Sequence, residues 1–107
     1  MPFMVESRMN NNMQLVRNND VLTLQGGINF QTVPHLYKQF RNELVPGIIA
    51  LDCSQVEQCD SSAISLLLAG LRLAHDQHIN LQIQGMNEQL LSLARLYEVE
   101  FILQAGQ

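Results

Sequence analysis

The sequence predicts an α/β domain built on a mixed sheet, and three observations support this prediction. Short apolar segments typical of strands alternate with longer segments in which apolar residues recur every three or four positions. The first two strand-like segments are joined by Asn18-Asn19-Asp20, whose residue types favour a hairpin. The chain has 107 residues, of which 47% are hydrophobic, which suits one domain with one core. We therefore expect the order ββαβαβαβ, with right-handed crossovers and helices packed on the sheet.

The domain is expected to begin after a short arm. Residues 1–12 show no apolar periodicity and predict a flexible N-terminal arm, so that a single domain spans residues 13–107. Met13–Arg17 and Val21–Gln25 are the two expected strands of the hairpin. Gly26-Gly27 follows the second strand and predicts its end.

Three amphipathic segments predict the helices. Thr32 and Pro34 suit the start of the first helix, and Pro46-Gly47 suits its end. Asn87 suits the N-cap of the third helix. The predicted apolar faces are Val33, Leu36, Tyr37, Phe40 and Leu44 in the first helix, Ile64, Leu67, Leu68 and Leu71 in the second, and Leu90, Leu91, Ala94 and Tyr97 in the third.

Three further apolar segments predict strands between and after the helices. Ile48–Asp52 is a continuous apolar run of the kind found in a central strand that is covered on both faces. Leu81 and Ile83, which precede Gly85, predict the next strand. Phe101–Leu103 predicts the last one.

Charge and composition limit the classes of partner. The formal net charge of -4 and the pI of about 5.1 leave no basic stripe, so we expect neither nucleic-acid binding nor direct membrane insertion. The sequence has no apolar run typical of a signal peptide or a membrane span, which predicts a cytoplasmic protein. Cys53 and Cys59 are expected to be reduced thiols that pack as small hydrophobic residues. A protein or a small ligand remains as the expected binding partner.

The sequence gives little support for catalysis. It contains neither a G-x-x-x-x-G-K-[ST] nor a G-x-S-x-G motif. His75 and His78 lack further residues at zinc-ligand spacing, and a favourable interaction with a helix dipole explains them better. Asp52 and Asp60 are either a catalytic pair or, as we favour, a strand terminus and a helix cap. We expect no enzymatic activity, no cofactor and no metal.

The joint between the central strand and the second helix is the strongest candidate for a functional site. Leu51–Ala63 connects these elements and carries acidic and hydroxyl residues suited to N-capping, beside free backbone N–H groups. Ser61 is either a plain N-cap or a central partner contact, and the two roles are compatible. Leu66 and Leu73 fall off the main apolar face, so the helix is either deeply buried or supplies an interface.

The residues at this joint resemble a known family. The pattern Asp52-x-Ser54-x-Val56-x-x-x-Asp60-Ser61-Ser62-Ala63, followed by Ile64-Ser65-Leu66-Leu67-Leu68, resembles the STAS domain family, to which anti-sigma-factor antagonists belong. The resemblance spans residues 13–103 and implies the same order of elements. It includes Gly26-Gly27-Ile28-Asn29 as the family's glycine-containing turn after the second strand. Ala63 stands where the family commonly has glycine.

One further segment narrows the resemblance. Leu93-Ala94-Arg95-Leu96-Tyr97 is similar to the third helix of the small STAS subunit in a bacterial ABC system that moves phospholipids between membranes. This similarity implies a non-enzymatic subunit that binds and activates or stabilises the ABC ATPase, within a system that maintains outer-membrane lipid asymmetry. It implies a cytoplasmic location, peripheral to the inner membrane through the ATPase and indirectly linked to the permease. The implied contacts are Asp60, Ser61, Ser62, Ala63, Ser65 and Leu66.

Two other functions stay open at this point. The likeness to anti-sigma-factor antagonists implies partner switching, in which a serine kinase phosphorylates Ser61. A phosphate beside Asp60 inside an interface would be repulsive and costly to desolvate, so the complex would dissociate. A carrier that binds lipid between sheet and helices has less support, because one core accounts for the apolar residues.

Overall fold

The computed structural model describes residues 14–103, which form four strands and four helices. The predicted arm, residues 1–12, and the first predicted strand residue, Met13, lie outside the described residues. The elements are β1 (Gln14–Asn18), β2 (Val21–Ile28), α1 (Val33–Glu43), β3 (Ala50–Cys59), α2 (Ser62–Asp76), β4 (Gln82–Gln84), α3 (Glu88–Leu96) and α4 (Glu100–Leu103).

The four strands form one mixed sheet in the order β1-β2-β3-β4. β1 and β2 are antiparallel, whereas β3 is parallel to both β2 and β4. Asn18 pairs with Val21, so the hairpin turn is formed by Asn19 and Asp20. Asn19 has a φ of 61°, a left-handed conformation that asparagine adopts more readily than most residues. The predicted α/β class, the N-terminal hairpin and the mixed sheet are confirmed.

Gly26 and Gly27 lie inside β2, so the prediction that they end the strand is wrong. β2 continues to Ile28, and its pairing with β3 shifts register between the two glycines. Gly26 has a φ of 89°, a conformation that L side chains rarely adopt. The glycines therefore face a bulge in β3, where Glu57 is the extra residue between the pairs Gly26–Val56 and Gly27–Gln58, and the family's expected turn begins only at Asn29.

β3 extends well beyond the predicted Ile48–Asp52. Asp52 does not terminate the strand, as the sequence suggested, but lies inside it and accepts a hydrogen bond from the Ser54 backbone N–H at 2.9 Å. Cys53, Val56 and Cys59 are buried at a spacing of three, because the strand carries two register shifts against β2. Such a spacing matches neither the strand period nor a continuous apolar run, which concealed the second half of β3.

The last predicted strand, Phe101–Leu103, is instead the short helix α4. The Leu103 backbone N–H donates to the Val99 carbonyl oxygen at 3.1 Å, which is the helical i to i-4 pattern. Arg95 and Glu100 form an ion pair of 3.2 Å that links α3 to α4. A run of three apolar residues does not distinguish strand from helix by periodicity, and the chain stays helical after the turn at residues 97–98.

The core joins α1 and α2 to alternate residues of β2. Leu22, Leu24 and Ile28 of β2 are buried, and the residues between them are mostly half-buried. Phe40 of α1 is fully buried and lies against α2 at Gly70, where a Cβ atom would be only 3.0 Å from the phenyl ring. The glycine therefore allows the two helices to approach closely, which holds α2 in place above the sheet.

Candidate docking surface at the start of α2

The start of α2 lies at the carboxyl ends of two parallel strands. The Asp60 backbone N–H, directly after β3, donates to the carbonyl oxygen of Ile28 at the end of β2, at 3.1 Å. This hydrogen bond fixes the point where the chain leaves the sheet and enters α2. Functional residues of α/β domains collect at this edge of a parallel sheet.

Asp60 caps α2, and Ser61 does not. The Asp60 carboxylate accepts a hydrogen bond from the Ser62 backbone N–H at 2.9 Å and a second, short one from the Ser62 hydroxyl. Ser61 occupies the N-cap position, yet its backbone is already helical and its side chain makes no capping hydrogen bond. The interpretation of Ser61 as a plain side-chain cap is therefore wrong, because the neighbouring carboxylate reaches the free N–H group first.

The six predicted contact residues divide between the surface and the core. Ser61 and Ser65 are exposed, and Asp60 and Ser62 are half-buried. Ala63 is 0% exposed and Leu66 is 1% exposed, so both point into the core and are not surface contacts. The methyl group of Ala63 thus fills the interior and does not face a partner. Six of the 15 residues of α2 are buried, and Leu73 also packs against the core.

A shallow groove of about 250 Å³ opens beside the two exposed serines. Its lining comprises Ser61, Ile64, Ser65, Leu68, Tyr97 and Val99, so it combines two hydroxyl groups with an apolar floor. The contribution of Tyr97 was not predicted, because apolar periodicity assigned this residue to the packed face of α3. Tyr97 is in fact 51% exposed and lies just after the end of that helix.

Residues 96–102, which run from the end of α3 into α4, expose further large apolar side chains. Leu96 is 70% exposed, Phe101 is 73% exposed and Ile102 is 42% exposed. Together with Tyr97 they are four of the seven large hydrophobic residues that the described chain leaves exposed. Such a concentration of apolar residues within one short segment is typical of an interaction surface.

Comparison with known proteins identifies the family. The family described as "Mlab, STAS domain" matches residues 11–104 of the chain. The chain belongs to this STAS domain family. It is 32% identical over 91 residues to the "Intermembrane phospholipid transport system binding protein MlaB" of Escherichia coli (strain K12), which covers 85% of this chain and 93% of the relative. The protein of the same name in Shigella flexneri matches with the same identity and coverage.

A solved structure described as "Crystal Structure Analysis of Mglu" shares the fold of this STAS domain. The TM-score is 0.56 at 17% sequence identity, and the match covers 84% of this chain. The chain spans 26% of the length of that structure. This similarity concerns the fold alone.

Side-chain amides fasten α3 of the STAS domain to the free edge of β3. β4 pairs only with the first three residues of β3 and leaves the rest of that edge open. The Gln89 amide donates to the Cys59 carbonyl oxygen at 2.9 Å and accepts from the Cys59 N–H at 3.3 Å. Asn87 donates to the Val56 carbonyl oxygen at 3.1 Å and caps α3 by accepting from the Leu90 N–H at 2.8 Å. The predicted role of Asn87 as the cap is confirmed.

The two cysteines of the STAS domain are poor nucleophiles. Both are buried free thiols. Burial, with a smaller contribution from the neighbouring Asp52 carboxylate, raises the pKa of Cys53 to about 12. Burial also raises the pKa of Cys59, and the charge of Asp60 acts in the same direction. Neither thiol is therefore ionised near neutral pH.

Metal-ligand clusters and membrane-spanning helices are both absent from residues 14–103. Within that range, no group of three or more His, Cys, Asp or Glu side chains has a geometry suited to a metal ion. No helix in the same range is long and apolar enough to cross a membrane.

Proposed function

We propose that this STAS domain is a non-enzymatic, cytoplasmic subunit of a phospholipid-transport ABC system, where it binds the ABC ATPase and stabilises its assembled, active form. The names of its relatives, binding proteins of an intermembrane phospholipid transport system, support the choice of system. The observation that carries the docking step is the exposed Ser61 hydroxyl, which has no hydrogen-bond partner among the described residues. In this proposal the chain is held at the inner membrane only through the ATPase and its permease.

The arrangement around Ser61 suits contact with a protein. A hydroxyl both donates and accepts a hydrogen bond, and it carries no charge whose burial would be costly. Because Asp60 satisfies the start of α2, the Ser61 hydroxyl is available without any loss to the fold. The apolar floor of the groove then supplies area that a partner can cover.

Activation by such a subunit requires differential binding. A bound protein shifts an ATPase towards its assembled form only if it binds that form more tightly than the others. A preference of about 1.4 kcal/mol corresponds to a tenfold shift.

Titration calorimetry of the purified ATPase with the chain tests the proposal. Ser61→Glu is expected to weaken binding at least about tenfold, because an unpaired carboxylate in an interface is costly to desolvate. Ser92→Glu, which makes the same change at an exposed site on α3 outside the groove lining, is the matched control and should bind as the wild type does. Equal affinities of the Ser61→Glu and wild-type chains would overturn the docking site.

The alternative proposal is partner switching through phosphorylation of Ser61. It is favoured by the same exposure, which leaves the hydroxyl accessible to a serine kinase. A phosphate at Ser61 would place about two negative charges beside Asp60 and disrupt an interface there. Absence of any complex between the wild-type chain and the ATPase, together with release from an anti-sigma factor on phosphorylation, would favour this alternative.

A further inference from the structure

Phe30 is the most exposed of the large hydrophobic side chains in residues 14–103, with 74% of its surface accessible. It lies in the turn between β2 and α1, two residues after the carboxyl end of β2, and outside the hydrophobic core. Single exposed apolar residues are common on protein surfaces. The rigidity of this turn and its place on the molecule therefore decide whether Phe30 has a function.

The turn that carries Phe30 is fixed by hydrogen bonds on both sides of it. The Asn29 side-chain oxygen accepts from the backbone N–H groups of Gln31 at 2.8 Å and of Thr32 at 3.1 Å. The Thr32 hydroxyl in return accepts from the Asn29 N–H at 3.0 Å, and the Val33 N–H donates to the Asn29 carbonyl oxygen at 2.9 Å. The backbone at Phe30 is thus held before any partner arrives, which lowers the entropic cost of binding through this ring.

The turn lies beside the start of α2 at the carboxyl edge of the sheet. The hydrogen bond from the Asp60 N–H to the Ile28 carbonyl oxygen, at 3.1 Å, joins the two segments. A depression of about 370 Å³ is lined by both of them, through Asn29 and Asp60, which directly precede Phe30 and Ser61. Phe30 and Ser61 therefore belong to neighbouring segments, and one partner surface can cover both.

We propose that Phe30 is an aromatic anchor of the docking surface, and that its ring enters an apolar pocket on the ABC ATPase while Ser61 contacts the same subunit. This inference rests on the proposed function and adds to it a second contact and the chemistry of the opposing surface. Aromatic side chains are enriched in the well-packed centres of protein interfaces. An anionic membrane surface is disfavoured, because the depression beside this turn is lined by one carboxylate and by no Lys or Arg.

Titration calorimetry with the purified ATPase tests this inference. Phe30→Ala is expected to weaken binding at least about tenfold, because the ring no longer fills its pocket. Ile49→Ala is the control, because Ile49 is 53% exposed and lies just before β3, at the opposite end of that strand. Its affinity should stay within about threefold of the wild type. Since Phe30 is exposed, Phe30→Ala should also unfold at the same urea concentration as the wild type.

The possible outcomes separate this inference from the proposed function. A complex that Ser61→Glu weakens, but that Phe30→Ala forms with wild-type affinity, overturns the anchor and leaves the docking proposal standing. Absence of a wild-type complex overturns both. Equal losses for Phe30→Ala and Ile49→Ala also overturn the anchor.

Two further measurements test the other occupants. Sedimentation should show that the chain alone is a monomer, and a dimer that Phe30→Ala disrupts would assign the ring to a second copy. Vesicles of phosphatidylcholine and phosphatidylglycerol should not co-sediment with the chain. Co-sedimentation that Phe30→Ala abolishes would assign the ring to a lipid surface, and either result would overturn the anchor.

Discussion

Asp60 and Ser61 have separate roles at the residue scale. The Asp60 carboxylate holds the first turn of α2 through Ser62, and the Ser61 hydroxyl stays free at the surface. Asp60→Ala is therefore expected to lower the free energy of unfolding by about 1 kcal/mol, and Ser61→Ala by less than about 0.5 kcal/mol. Urea unfolding followed by circular dichroism measures both. A larger loss for Ser61→Ala than for Asp60→Ala would contradict this assignment of the cap.

Gly85 also has a role that the structure defines. Its φ is 72°, and a Cβ atom there would lie 2.7 Å from Asp52 Oδ1 and 2.9 Å from the Ser54 backbone nitrogen. Gly85→Ala should cost about 2 kcal/mol of unfolding free energy, through both strain and steric overlap. Gly47→Ala is the control, because Gly47 also has a positive φ but nothing within 4 Å of its Cβ position. Equal losses at the two sites would show that the contact with Asp52 is unimportant.

Residue-level prediction from the sequence succeeded where chemistry is local. Asn87 was identified as a cap because its amide reaches the N–H three residues ahead, which depends on neighbouring positions only. It failed for Ala63 and Leu66, whose burial depends on how α2 sits on the sheet and on α1. Tyr97 was missed as a groove residue for a similar reason, since α3 ends just before it.

The elements were predicted well except where backbone irregularity or brevity intervened. Both helices that cover the core and the parallel crossovers follow from apolar periodicity and from strand alternation. The length of β3 was hidden by its bulges, which give buried residues a spacing of three. The short helix α4 carries only three apolar residues in a row, a pattern common to strands and helices.

The attachment of α3 to β3 is testable at the element scale. Gln89 pairs with both backbone groups of Cys59, so Gln89→Ala is expected to cost about 1 kcal/mol of unfolding free energy. Gln89→Glu should cost more, because a carboxylate cannot donate to the Cys59 carbonyl oxygen and would face it with like polarity. Ser92→Ala on the exposed side of the same helix is the control. Urea unfolding that shows no loss for either Gln89 variant would indicate that the amide does not hold α3.

At the scale of the whole molecule, the buried thiols link stability to alkaline pH. Folding raises the pKa of Cys53 from 9.0 to about 12, so the folded chain keeps a proton that the unfolded chain releases above pH 9. This contribution to stability is complete below pH 9 and is lost as the pH rises towards 12. Unfolding free energy from urea titrations between pH 8 and pH 11 should therefore fall less steeply for Cys53→Ala than for the wild type. Parallel pH profiles would contradict the assignment.

The whole molecule also explains why the groove is formed by distant parts of the sequence. Ser61 and Ser65 belong to α2, while Tyr97 and Val99 follow α3. The start of α2 lies at the carboxyl ends of β2 and β3. Gln89 attaches α3 to the end of β3, beside the start of α2. The joint after the central strand was predicted as the functional site. Tyr97 and Val99, which line the other side of the groove, are brought there by tertiary packing.

ATPase turnover of the co-purified complex tests the central claim most directly. The account predicts that the wild-type chain co-purifies with its cognate ABC ATPase and raises its rate of ATP hydrolysis. Ser61→Glu should lose both effects, and Ser92→Glu should keep both. An ATPase whose turnover is the same with and without the chain, or is raised equally by Ser61→Glu, would contradict the account.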